Sequence, residues 1–159
     1  MGNAVKDLNL GWNEIQRELK KFSNSSILVG FQEGTKTRKE VKGQRKKEGG
    51  LSIPEIAASN EFGDGKIPPR PFMSTSFDEN RARLMKVISS QIIRIETGQR
   101  KAQFALDVIG LSLVTMIQTK IDQIVTPPNS PLTIQLKGSS KPLIDFGQMR
   151  QSVRHKVIT

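Results

Sequence analysis

Residues 101–125 constrain the fold most. Leu106, Ile109, Leu113, Ile117, Ile121 and Ile124 recur at helical spacing and form one apolar stripe. Phe104, Val108 and Leu111 widen that stripe, so the pattern predicts the most buried helix of the chain. Thr126, Pro127 and Pro128 stop it, because proline removes a backbone donor and clashes with a preceding turn. A helix apolar over so wide a face needs partners on several sides, and the other periodic segments must supply them.

Val5, Leu8, Trp12, Ile15, Leu19 and Phe22 alternate steps of three and four, which predicts a helix over about 4–22. Trp12 and Phe22 read as core or interface anchors of that helix. Ile27 to Phe31 is a short apolar run with β-branched residues and predicts a strand near 26–32, central because both faces are apolar. Ser52, with Glu55 three residues later and Pro54 between them, is a capping-box start for a short helix that Gly63, Asp64 and Gly65 end. Pro68, Pro69 and Pro71 fix an extended loop around Arg70.

From Ser74 a further helix carries Phe77, Leu84, Ile88, Ile92 and Ile95 on one side, with Arg81, Arg83 and Lys86 off it or at its edge; Thr97 and Gly98 break it. Ser130 and Pro131 start a single turn closed by Gly138. Pro142 to Gly147 reads as a turn, Gln148 to Ser152 as a short helix, and Val153 to Ile158 alternates like a strand. There is no internal repeat. The expected fold is a single α+β domain over 1–159, a small mixed or antiparallel sheet flanked by several helices. Its strands lie near 26–32 and 152–158, with one or two more from the flanks of residues 34–50.

The segment 34–50 is different in kind. Lys36, Arg38, Lys39, Lys42, Arg45, Lys46 and Lys47 face only Glu40 and Glu48, and Val41 is its only aliphatic residue. Such a composition cannot bury enough surface to order itself, so a mobile basic loop is expected. It reads either as a solvated loop that keeps the chain soluble or as an arm that contacts DNA or a partner. The chain as a whole carries 25 basic and 15 acidic residues, a net charge of +10, which favours polyanionic partners. Aromatic residues are few and tyrosine is missing, an argument against a single-strand binder built on stacking platforms.

Catalytic chemistry finds little to work with. Without cysteine, disulfides and thiolate metal sites are excluded, and the expected compartment at synthesis is the reducing cytosol. No uninterrupted apolar run approaches the length that spans a bilayer, and Met1 to Leu10 lacks a signal-peptide apolar core. The single histidine, His155, sits between Arg154 and Lys156 with no acid beside it in sequence, and reads as structural or exposed rather than as a triad base. Asp78 and Glu79 are adjacent, diverge on a helix, and are best placed to favour its N-terminus. Glu14 and Glu18 read as exposed helix charges. Gly63 to Lys66 lacks the spacing of a phosphate loop and reads as a turn. No catalytic, metal or cofactor residue is expected; a magnesium nuclease built from distant acids is the weakest of the readings.

Two segments together carry a resemblance. The first is Ile56-Ala57-Ala58-Ser59-Asn60-Glu61-Phe62-Gly63 followed by Lys66-Ile67-Pro68-Pro69-Arg70-Pro71-Phe72. The second is Pro128-Asn129-Ser130-Pro131-Leu132-Thr133, then Lys137-Gly138-Ser139 and Pro142 to Val153. In this order and spacing the chain, over about 50–158, resembles the tail-completion or head-to-tail joining proteins of long-tailed bacteriophages. One position departs: Phe146 stands where those proteins usually have threonine after the Leu-Ile-Asp turn, so Asp145 or an apolar contact must anchor it. The basic loop also looks like an insertion.

The resemblance implies a structural virion protein of the neck, assembled in the bacterial cytoplasm, with no enzymatic role and no cofactor. It implies a ring of this chain, six-fold or twelve-fold, between the portal-side connector and the tail-terminator or tail-tube proteins, with no membrane partner. A ring needs a heterologous interface, for which Arg70, Phe72, Asp145 and Arg150 are the candidates; Phe72 reads equally as core. The alternative function is a basic nucleic-acid-binding protein that uses residues 36–47 on phosphates.

Overall fold

The computed structural model describes residues 11–31, 52–65, 67–138, 140–143 and 147–159. The chain is a single-domain α+β fold, helical in the main, with a small antiparallel sheet. Helix α1 (Trp12–Ser23) leads into strand β1 (Ser26–Phe31). Then come α2 (Ile53–Phe62), α3 (Phe72–Glu96), α4 (Ala102–Gln123), α5 (Pro131–Lys137), α6 (Gln148–Gln151) and β2 (Val153–Ile158). The basic loop 34–50, its flanks, and Val5 and Leu8 of the expected first helix lie outside the described residues.

Helix α4 is the centre, as its stripe predicts. Leu106, Ile109, Leu113, Ile117 and Ile121 are all buried. What widens the buried face differs from expectation: Ala102, Ala105, Gly110, Val114 and Met116 do so, whereas Phe104 and Leu111 are each 57% exposed. Small side chains let neighbouring elements approach on two flanks. One flank of α4 meets α3 and α1, and another meets the sheet. Helix α4 is also long and apolar enough to cross a bilayer, but half of its apolar window is buried inside the chain.

Two apolar clusters result. The larger gathers Ile53 and Ala57 of α2, Phe72 of α3, Val114, Ile117 and Ile121 of α4, Met149 of α6 and Val153 of β2. The edge of one ring meets the face of another where Phe31 packs on Phe72, at 6.0 Å and 81°. The smaller joins Ile95, Ala102 and Ala105 to Leu19 and Phe22 of α1. Phe22 is therefore an anchor, but Trp12 is 58% exposed and belongs to neither cluster.

Strand β1 is placed as expected in sequence, but among the described residues it has one strand neighbour and is not central. It pairs only with β2 among the described residues, in a two-stranded antiparallel sheet running from Ser26 opposite Ile158 to Phe31 opposite Val153. Leu28 accordingly faces outward and is 56% exposed. In α3 the buried face holds Phe72, Ser76, Gln91 and Ile95, so Phe77 lies off it. Ser76 and Gln91 hid this face from a pattern of apolar residues alone.

Candidate functional site

The capping box of α2 forms as the sequence predicts. Ser52 Oγ accepts from the Glu55 amide, and Glu55 Oε2 accepts from the Ser52 amide at 2.6 Å and from the Ser52 hydroxyl at 2.7 Å. These bonds, the backbone one first, hold the Glu55 carboxyl below its ordinary pKa. At the other end Gly63 turns the chain at φ +77°, where a β-carbon would stand 3.0 Å from the Ile67 carbonyl. The loop then braces itself: the Asp64 amide donates to the Ile67 carbonyl, and the Ile67 amide to Asp64 Oδ1 at 2.9 Å.

This turn delivers Arg70 to the inside of the molecule. Arg70 is 4% exposed. Its amide donates to the Asn60 carbonyl at 2.6 Å. Its Nε donates to the Pro127 carbonyl at 2.8 Å, one Nη to Asn60 Oδ1 at 3.2 Å, and the other to the Pro128 carbonyl at 3.2 Å and to Asn129 Oδ1. Asn129 in turn donates to the Lys141 carbonyl at 3.3 Å. One guanidinium thus fastens the end of α2 and the loop after α4 to each other. Those are parts of the two segments that carry the resemblance.

All these acceptors are neutral. Among the described residues no carboxylate lies within ion-pair distance of Arg70. Burial without a counter-charge pulls the guanidinium below its ordinary pKa, though an arginine stays charged at any physiological pH. Beside it lies a cavity of about 610 Å³, within the range of ligand pockets. Ile53, Ile56, Ile67 and Leu143 line its apolar part, and Asn129 and Thr133 are polar groups on its wall.

The other expected contact residues are distributed differently. Phe72 is fully buried in the larger cluster, so its core reading holds. Arg70 and Phe72, offered as contacts with a neighbouring copy, are both used within the chain. Arg150 is half-buried and pairs with Asp122 at 2.8 Å, while its carbonyl accepts from Gln118. Asp145, Phe146 and the basic residues Lys36 to Lys47 lie outside the described residues.

Three acidic residues act where sequence did not place them. Glu61, 8% exposed, accepts from the amides of Met73 and Ser74 at 2.8 and 3.0 Å and so caps α3 from another helix. Asp78 and Glu79 are not in the first turn of α3, which starts at Phe72, and Glu79 instead pairs with Lys120 of α4 at 2.7 Å. Glu18 accepts from the Ala102 amide at 2.7 Å and caps α4. It is not the exposed charge that its neighbours suggest.

His155 does have an acid in space: Asp107 Oδ1 is 3.4 Å from its Nε2. No group of three or more metal-ligating side chains occurs among the described residues. Compared with protein-family models, with curated proteins and with solved structures, the chain gives no match in any of the three.

Proposed function

We propose that this chain is a structural subunit of a bacteriophage neck, which joins the DNA-filled head to the tail as one copy in a ring and performs no reaction of its own. The observation that carries the reading is the Arg70 joint. The two stretches that resemble head-to-tail joining proteins are far apart in sequence, and one buried guanidinium draws them into a single rigid unit. A connector under the pressure of packaged DNA needs such rigidity. Proline-stiffened loops also lower the ordering cost of docking.

The ring is six-fold on this reading, with twelve-fold the alternative, and its neighbours are the portal-side connector and the tail-terminator or tail-tube protein. The basic residues 36–47 meet an acidic face of a neighbour, since a firm grip on phosphates would hinder DNA that must slide through. A second reading has its own support. Arg83, Lys86 and Arg94 share one side of α3 and form no ion pair among the described residues, so their charge is available to phosphates.

Electron microscopy of lysates decides between them. Removing the protein should leave filled heads beside finished, unjoined tails. Replacing Lys39, Lys42, Arg45 and Lys46 with serine should give the same phenotype with a folded subunit. Normal joining without the protein, together with duplex binding that weakens steeply with salt, would replace the neck reading with the nucleic-acid one.

A further inference from the structure

The cavity beside Arg70 combines two properties. Its walls are largely apolar, from Ile53, Ile56, Ile67 and Leu143. One of its lining residues is Arg70, which is 4% exposed and whose guanidinium, among the described residues, bonds only to neutral oxygens. Moving a cation out of water is costly unless an opposite charge comes with it. Carbonyl and amide oxygens offset part of that cost and leave some of the guanidinium's donor capacity unused. The group that would complete the site is a carboxylate, which brings the missing negative charge and can accept from the remaining hydrogen of the Nη that bonds Asn60. Its carrier should be largely apolar, because Ile53, Ile56, Ile67 and Leu143 line much of the remaining wall, with Asn129 and Thr133 as polar groups beside them.

We propose that this cavity is a docking site for a short extended segment of an adjoining protein in which one Asp or Glu lies between apolar side chains, the carboxylate bonding to Arg70 and the apolar side chains filling the space beside it. Charge complementarity at Arg70 selects the carboxylate. That the carrier is a protein rather than a free acid rests on the neck reading, in which the chain's neighbours are proteins. The cavity is walled by α2, the 67–70 loop and the loop after α4, so an occupant would lock the Arg70 joint from outside. Binding and rigidity of the subunit are then coupled.

The test is titration of the full chain, labelled at isoleucine methyls, with acetyl-Leu-Glu-Leu-amide, its Gln counterpart, and octanoate. The Glu peptide should shift the methyls of Ile53, Ile56 and Ile67 and bind roughly tenfold or more tightly than the Gln peptide. Thr133→Trp, at the half-buried wall, should abolish the shifts while leaving the circular dichroism unchanged. Methyl mapping on the unmodified chain stands even if that variant misfolds. Equal binding of the Glu and Gln peptides, or no binding at a few millimolar, overturns the proposal. So does octanoate binding as well as the peptide, which makes this a small-acid site. Each of these outcomes leaves the lysate experiment untouched, so failure here and failure of the neck reading are separable.

Discussion

The imidazole of His155 stands where a β-carbon on residue 110 would be. A β-carbon built on Gly110 overlaps Cδ2 and Cγ of the ring and lies 3.0 Å from its Nε2. Gly110 is in the middle of α4, where glycine costs about 1 kcal/mol relative to alanine. The sequence accepts that cost so that β2 can lie close on the helix. Gly110→Ala should therefore destabilise the protein in spite of its better helix propensity, because overpacking costs about 1–3 kcal/mol. Urea unfolding measures it. The same substitution in a His155→Ala background should be neutral or stabilising, and equal losses in both backgrounds would show that the ring is not the obstacle.

Glu61 gives a second prediction. Its carboxylate serves two backbone amides at the start of α3, Met73 and Ser74, and also the Ser74 hydroxyl at 2.8 Å. Glu61→Ala should strand these partly buried donors and cost about 1–3 kcal/mol. Amide exchange at Met73 and Ser74 should accelerate more than exchange at the middle of α3. Uniform acceleration along the helix would show that Glu61 acts on global stability alone.

Arg70→Lys should not be conservative. An ammonium is a point donor and cannot reach the Pro127 and Pro128 carbonyls and Asn60 at once. We expect a loss of about 2 kcal/mol or more by chemical denaturation, from carbonyls left unsatisfied. The amide of residue 70, which donates to the Asn60 carbonyl, should lose exchange protection with it. A lysine variant as stable as the parent would mean that the joint is not a structural fastener.

The capping box makes stability depend on pH in a definite direction. Hydrogen bonds from Ser52 lower the Glu55 pKa in the folded chain below its ordinary 4.5. The folded state thus favours the ionised carboxylate. Its contribution is fully present above pH 4.5 and is lost as pH falls through the lowered folded value. Glu55→Gln should lower the melting temperature at pH 7 and have a shrinking effect below pH 4.5. A difference that stays constant with pH would assign the cap to geometry rather than charge.

Local sequence patterns located α1, β1, α2, α3, α4 and β2 because each shows its signal within its own residues. Ser52 and Glu55 are three residues apart, so their box was legible as well. The Arg70 site was legible only as a proline-stiffened loop. The partners that turn Arg70 inward, Pro127 and Pro128, are 57 and 58 residues away, and no local pattern encodes them. The same distance hid Glu18 on Ala102 and His155 beside Asp107. The buried face of α3 was legible through Leu84, Ile88, Ile92 and Ile95, and incomplete for another reason. Ser76 and Gln91 lie on it, and a polar residue inside a core breaks the apolar rhythm by which cores are recognised.

The pairing of β1 with β2 fixes the order in which the molecule can be completed. Ser26 to Phe31 leaves the ribosome before α2, α3, α4, α5 and α6, and its hydrogen-bonding partner follows all of them. Throughout that interval Ile27, Val29 and Phe31 lack their β2 partner, leaving the kind of apolar edge that other chains can join. Closure of the sheet waits for Val153 to Ile158, and a nascent chain that stalls before Val153 holds β1 open to whatever is nearby.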